Sequence, residues 1–150
     1  MKSVLAILLS STFFSLALTA QTRHEGNSHA ISVPHIVRIA LYKNFPESKT
    51  YHIVWERENG NYEANWGGRD GEANSAQFNP QGDFIEIVKE ISSSQLPKSI
   101  FPYLKAHYHY YRLGGLGIVK DAKGITTYEV EVHGKDIIFD QSGKFLKEEK

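Results

Sequence analysis

The sequence predicts an α+β fold: a tandem repeat of a helix packed on an antiparallel sheet of about four strands, with the two copies sharing a sheet or core. Three observations predict it. The segments VPHIVRIALYKNF from Val33 and LPKSIFPYLKAHY from Leu96 each open on an aliphatic–Pro pair and end on an aromatic, Phe45 or Tyr108, at the same offset. NYEANW (61–66) lines up with TYEVEV (127–132), and FNPQGDF (78–84) with FDQSGKF (139–145). Three matches in one order point to duplication, with a first unit over 31–92 and a second over 93–150. A unit of about 60 residues is marginal alone, which is why the copies are expected to share a sheet or core.

Ahead of the repeats stands MKSVLAILLSSTFFSLALTA. Lys2 supplies a positive start, Val4 to Leu18 an apolar stretch interrupted by hydroxyl residues, and Ala20 a small residue before polar Gln21, the pattern of a cleavable secretory signal over 1–20. A membrane-spanning helix needs about 20 strongly apolar residues, and this run is shorter. Leu18 stands where alanine is commoner, so the cut after Ala20 could move by a residue or two. The chain contains no cysteine, which excludes lipid attachment after the cut and disulfides alike. The polar, non-periodic stretch 21–30 reads as a flexible leader. The expected location is the periplasm or the exterior.

The first helix follows from Val33, Ile36, Val37, Ala40, Leu41 and Phe45, which recur at steps of three and four and make one apolar stripe. Ser32 can cap it, Pro34 fits its first turn and Pro46 stops it. Next come alternating segments. Tyr51, Ile53 and Trp55 share one face of a strand that ends at ENGN (58–61), a hairpin turn. Tyr62, Ala64 and Trp66 share the next face, with Glu63 and Asn65 opposite. FNPQG closes a further hairpin.

The second helix carries Ile100, Leu104, Tyr108 and Tyr111 on its stripe. Pro102 either kinks it or falls in the first turn of a late-starting helix with Ser99 as cap, and the late start is preferred. Gly114, Gly115 and Gly117 lie between helix and strand, the wrong order for a phosphate loop, and read as a helix C-cap with a strand bulge. In 127–132, Tyr128, Val130 and Val132 share one face and Glu129 and Glu131 the other. FDQSG is a tight turn, and Asp140 a turn residue.

No catalytic apparatus emerges. There is no Cys and no G-x-S-x-G serine. The seven histidines include no H-E-x-x-H, and His107 and His109 diverge on a helix, so no metal site and no cofactor is expected. Removal of Lys2 with the signal leaves 16 basic residues against 17 acidic, about −1 with His neutral, with no basic excess to neutralise nucleic-acid phosphates. The hydrophobic share of 41% and aromatic share of 12% suffice for a core. Trp66, at a strand end beside Gly67 and Gly68, and Tyr110, at a helix end, are the aromatics that could emerge as interface anchors, against a core role for each. Glu129 and Glu131 are either solvated charges on an exposed sheet face or contacts for a basic partner.

The runs VPHIVRIALYKNFP, VWERENGNYEANW, FNPQGDFIE, LPKSIFPYLKAHY and TTYEVEVHGKDIIFDQSGKFLK resemble the PepSY-like family, small exported proteins described as beta-lactamase-inhibitor-like. The likeness covers roughly 33–148 and makes 31–150 a single PepSY-like domain; Pro102 and the glycines 114–117 depart from the family pattern. The resemblance implies helix-on-sheet packing and a non-enzymatic role, binding or inhibiting a partner protein. It supplies no functional residues. The expectation is therefore an exported binding protein, such as an inhibitor or modulator of an extracytoplasmic enzyme. The alternatives are a small-ligand carrier with an aromatic-lined pocket and an uncharacterised enzyme.

Overall fold

A computed structural model describes residues 31–149. The expected signal segment, its cut after Ala20 and the leader 21–30 lie outside the described residues.

Helix α1 (His35–Asn44) buries Val37, Ala40 and Leu41, the inner part of the apolar stripe. Pro34 stands at its N-terminal boundary and no side chain caps it, so the expected cap from Ser32 is not made. The helix ends where the Phe45 N–H donates to the Leu41 carbonyl at 2.8 Å, and Pro46 starts a 3₁₀ turn that runs to Thr50. Strand β1 (Val54–Glu58) begins later than the alternation from Tyr51 suggests. The Tyr51 N–H still belongs to that turn, donating to the Ser48 carbonyl at 3.1 Å. Asn59 and Gly60, with φ of 49° and 85°, join β1 to β2 (Asn61–Trp66). Positive φ at both positions is what a two-residue hairpin turn of matching twist requires.

Strands β3 (Asn74–Phe78) and β4 (Phe84–Glu90) follow. Asn79 Oδ1 accepts from the N–H groups of Gln81 and Asp83, each at 2.9 Å, and so shapes the turn between them. Helix α2 (Ile100–His107) starts late, with Pro102 in its first turn, where a missing N–H costs nothing. Ser99 does not cap it. Its hydroxyl donates to the Ser142 carbonyl at 2.7 Å. Then come β5 (Leu113–Asp121), β6 (Thr126–Val132), β7 (Lys135–Asp140) and β8 (Phe145–Glu149). The glycines expected at a helix C-cap lie inside β5, at and after its bulge between Leu113 and Leu116, while Tyr108 ends the helix.

The expected tandem repeat of a helix on a four-stranded sheet is corrected by the topology. All eight strands form a single antiparallel sheet in sequence order, β1 to β8, accompanied by two short helices. Strands β4 and β5 pair over five positions, from Glu86 opposite Asp121 to Glu90 opposite Gly117. The physical reason is the edge. A sheet stopping at β4 would present a row of unpaired N–H and C=O groups, and pairing with the next strand satisfies them. Short helices of ten and eight residues span only about 15 and 12 Å, too little to define separate layers.

Both helices lie against one face of the sheet. Around α1 pack Trp66, Phe78 and Ile87; around α2 pack Val130, Val132, Ile137 and Phe139. The turn between β7 and β8 abuts the start of α2. Gly143 there has φ of 81°, and a Cβ on it would run into Ser99 Oγ and stand 2.9 Å from Pro97 Cβ. Gly143→Ala is expected to destabilise the fold by at least about 1–2 kcal/mol, from the left-handed backbone alone. Urea denaturation checks this, and an unchanged midpoint would refute it.

Candidate functional site on the helix-free sheet face

Residues directly opposite each other in an antiparallel sheet share a face, so the register alone assigns side chains to the two sides. Trp55, Ala64, Ala76 and Ile87 form a row on the helix side. The neighbouring row is Glu56, Glu63, Gln77, Glu86 and Asp121, one residue from each of β1 to β5. It therefore crosses five strands on the face opposite the two described helices. On the same face Glu131, Asp136 and Glu149 make a shorter row across β6, β7 and β8. Like charges directly opposite each other destabilise a sheet, and here carboxylates repeatedly face carboxylates.

This face is curled inward. Glu58 of β1 and Lys147 of β8 both act electrostatically on Glu86 of β4, although strands lie between them. Curling buries polar side chains that a flat sheet would expose: Asn65, Ser75, Gln77, Glu129 and Asp136 are all buried. Burial pushes the Glu86 carboxyl up to about 7, with Glu58, Glu63 and Asp121 adding to the rise and Lys147 opposing it. Burial likewise raises Asp136 to about 6, helped by Glu131 and Glu149. Glu63 is raised by burial too, against the hydrogen bond that Ser75 Oγ donates to its Oε1.

Gln77 sits at the centre of the long row and is 5% exposed. Its Nε2 donates to Glu58 Oε2 at 2.8 Å, which fixes the amide orientation, because a flipped amide would set oxygen against carboxylate. Its Oε1 is buried without a hydrogen-bond partner. Toward one end of the face, a cleft of about 470 Å³ is lined by residues including Arg69, Glu72, Ser75, Val88 and Glu90. No Tyr or Trp lines it.

The four residues expected to form an interface go to different places. Trp66 is 1% exposed on the helix side, its ring centroid 5.5 Å from that of Phe45. Of the two roles open to it, the core role holds and the interface role is corrected, because Phe45 at the end of α1 packs over it. Tyr110 is 99% exposed, with φ of 53°, in the connection from α2 to β5. Glu129 and Glu131 share the helix-free face, but Glu129 is 4% exposed, so it is not the solvated charge the alternation suggests. Glu131 accepts from the Gly115 N–H at 3.1 Å. Glycine is needed alongside, since a Cβ at Gly114 would stand 2.7 Å from the Glu131 carboxyl. Sequence reasoning missed Glu56, Gln77, Glu86, Asp121 and Asp136. The alternation of Glu86, Val88 and Glu90 in FIEIVKE carries the signal for one of them. Among the described residues no group of three or more His, Cys, Asp or Glu could hold a metal ion. His107 stacks on Tyr103 at 4.2 Å between ring centroids.

Among the described residues, then, one antiparallel sheet carries both helices on one side and rows of carboxyl groups on the other. The chain belongs to the family described as "Putative beta-lactamase-inhibitor-like, PepSY-like", which it matches over residues 66–147. No curated protein matches it. Among solved structures it is similar to one described as "putative periplasmic proteins" from Bacteroides eggerthii, at 19% identity and a TM-score of 0.66, covering 79% of this chain and 88% of that one. A DUF2874 family protein from Bacteroides ovatus gives 17% identity and a TM-score of 0.64, with 79% and 87% covered. A BLIP-like protein from Bacteroides fragilis gives 21% identity and a TM-score of 0.60, with 82% and 89% covered. At such identities the likeness is one of fold. No helix among the described residues is long and apolar enough to cross a membrane.

Proposed function

We propose that this protein is an exported, non-enzymatic binding protein that docks a partner protein on the helix-free face of its sheet, as a modulator of an extracytoplasmic enzyme. One observation carries the reading: the face opposite the two described helices keeps carboxylates opposite carboxylates, Glu56 with Glu63, Glu86 with Asp121 and Glu131 with Asp136. Such pairing costs folding stability, and a surface that retains it serves something other than the fold. The family description and the periplasmic and BLIP-like labels of similar structures accord with this reading.

Affinity capture from a periplasmic extract tests it, using the wild type, the Glu56→Lys/Asp121→Lys double variant at the ends of the long row, and Tyr110→Ala outside it. The expected result is one stoichiometric protein partner held by the wild type and by Tyr110→Ala and lost from the double variant. Capture that survives the double variant, or turnover of any substrate that a single polar substitution abolishes, would overturn the reading.

A further inference from the structure

We propose that the row Glu56–Glu63–Gln77–Glu86–Asp121 seats an arginine- or lysine-bearing segment of the partner protein; this names the partner chemistry and rests on the binding face proposed above. Five residues on adjacent strands span roughly 19 Å at the usual strand spacing. Four carry carboxyl groups and the fifth is Gln77. By register, Lys147 is the one lysine or arginine among the described strand residues of this face, and it is paired with Glu149 at 2.5 Å. Lys89, Lys120 and Lys135 project to the opposite side, opposite Asn74, Ile87 and Val132. The mature chain's near-neutral balance thus hides a local excess of negative charge.

The second observation is the buried Gln77 Oε1, which lacks a hydrogen-bond partner. It can only accept, and the carboxyl groups on either side, Glu63 and Glu86, can donate to it only in their protonated form. A group that brings several N–H donors and a positive charge answers both needs at once. Guanidinium does so with five donors in a planar fork, and ammonium with three. A compact metal ion fits less well, because the carboxylates are strung along a row and no metal-holding group exists among the described residues.

Such a seat responds to pH. The groups facing Glu86 are Glu58, Glu63, Asp121 and Lys147, with Gln77 directly opposite. A bound cation favours the ionised carboxylates, so protons are released on binding and affinity rises with pH.

Hexa-arginine amide, carrying a fluorescent label, is the probe, with hexa-glutamate as control, followed by anisotropy at pH 8 and 5.5. The expected result is 1:1 binding at pH 8, at least tenfold weaker at pH 5.5 and weakened by 0.5 M salt (roughly) as screening predicts. Glu63→Gln/Glu86→Gln should weaken it tenfold or more while thermal melts confirm that the variant folds, and Gln77→Leu should weaken it several-fold. Equal affinity for the double variant and the wild type, or equal binding of hexa-glutamate, would overturn the proposal. If a captured partner depends on the face but hexa-arginine neither binds nor competes, the cationic assignment falls and the binding face stands. If hexa-arginine binds the row and no protein is ever captured, the seat stands and the proposed function falls.

Discussion

Trp66→Ala is expected to lower stability by about 3–5 kcal/mol, the range for removing a large buried aromatic, and to lower the melting temperature by roughly 10–20 °C for a domain of this size. The indole is 1% exposed. It packs on Phe45, which also meets Phe84 at 5.6 Å and Phe78 at 6.5 Å between ring centroids. Deleting it opens a cavity beneath α1 that rigid neighbouring rings fill poorly. Tyr110→Ala, by contrast, is expected to shift stability by less than about 0.5 kcal/mol, as exposed substitutions do, because its side chain touches solvent on nearly all sides. Thermal and urea denaturation of the two variants decide the matter. A Trp66→Ala protein as stable as the wild type but unable to capture a partner would return that residue to the interface.

The second large effect is on pH. Glu86, Asp136 and Glu63 all have carboxyls raised in the folded state, chiefly by burial. A carboxyl with a raised folded value binds its proton more tightly folded than unfolded, so stability falls as pH rises from the unfolded value, near 4.5 for Glu86, through the folded value of about 7. For Glu86 alone this amounts to about 2 kcal/mol once solvent screening is allowed for. At the acid end the sign reverses. Asp140 is lowered by the Ser142 hydroxyl and the turn N–H groups, and Glu148 by Lys135 and then the Tyr108 hydroxyl. Their contribution is present at higher pH and is lost as pH falls below the ordinary carboxylate range. The melting temperature should therefore peak between about pH 4.5 and 6 and decline toward pH 8. Glu86→Gln should raise it at pH 8 by on the order of 5 °C and leave it nearly unchanged at pH 5, where the wild-type carboxyl is already neutral. A melting temperature that rises steadily from pH 5 to 8 would refute this account.

The two expectations concern residues that looked very different in the sequence. Trp66 is a candidate interface aromatic by sequence and is core in the structure; Glu86 carries no such mark and lies on the face opposite the described helices. Both outcomes have the same origin. Alternation within a strand states which residues share a side, as Tyr62, Ala64 and Trp66 do. It does not state which side the helices cover, nor which residue of the next strand lies alongside.

By itself the sequence determined the local matters: a chain without cysteine, the α1 stripe, the late start of α2 behind Pro102, and the Asn-Gly, FNPQG and FDQSG turns. Its repeated motifs also carried the family resemblance, while suggesting two helix-on-sheet units that the topology replaced with one continuous sheet. Turns and helix stripes depend on neighbours a few residues apart, so they are written locally. The row from Glu56 to Asp121 was decided only by tertiary structure, because its members come from five strands and align through strand order and register. The burial of Trp66 was decided likewise, by Phe45 arriving from another segment. Side-chain identity is local, but register and cover belong to the assembled sheet.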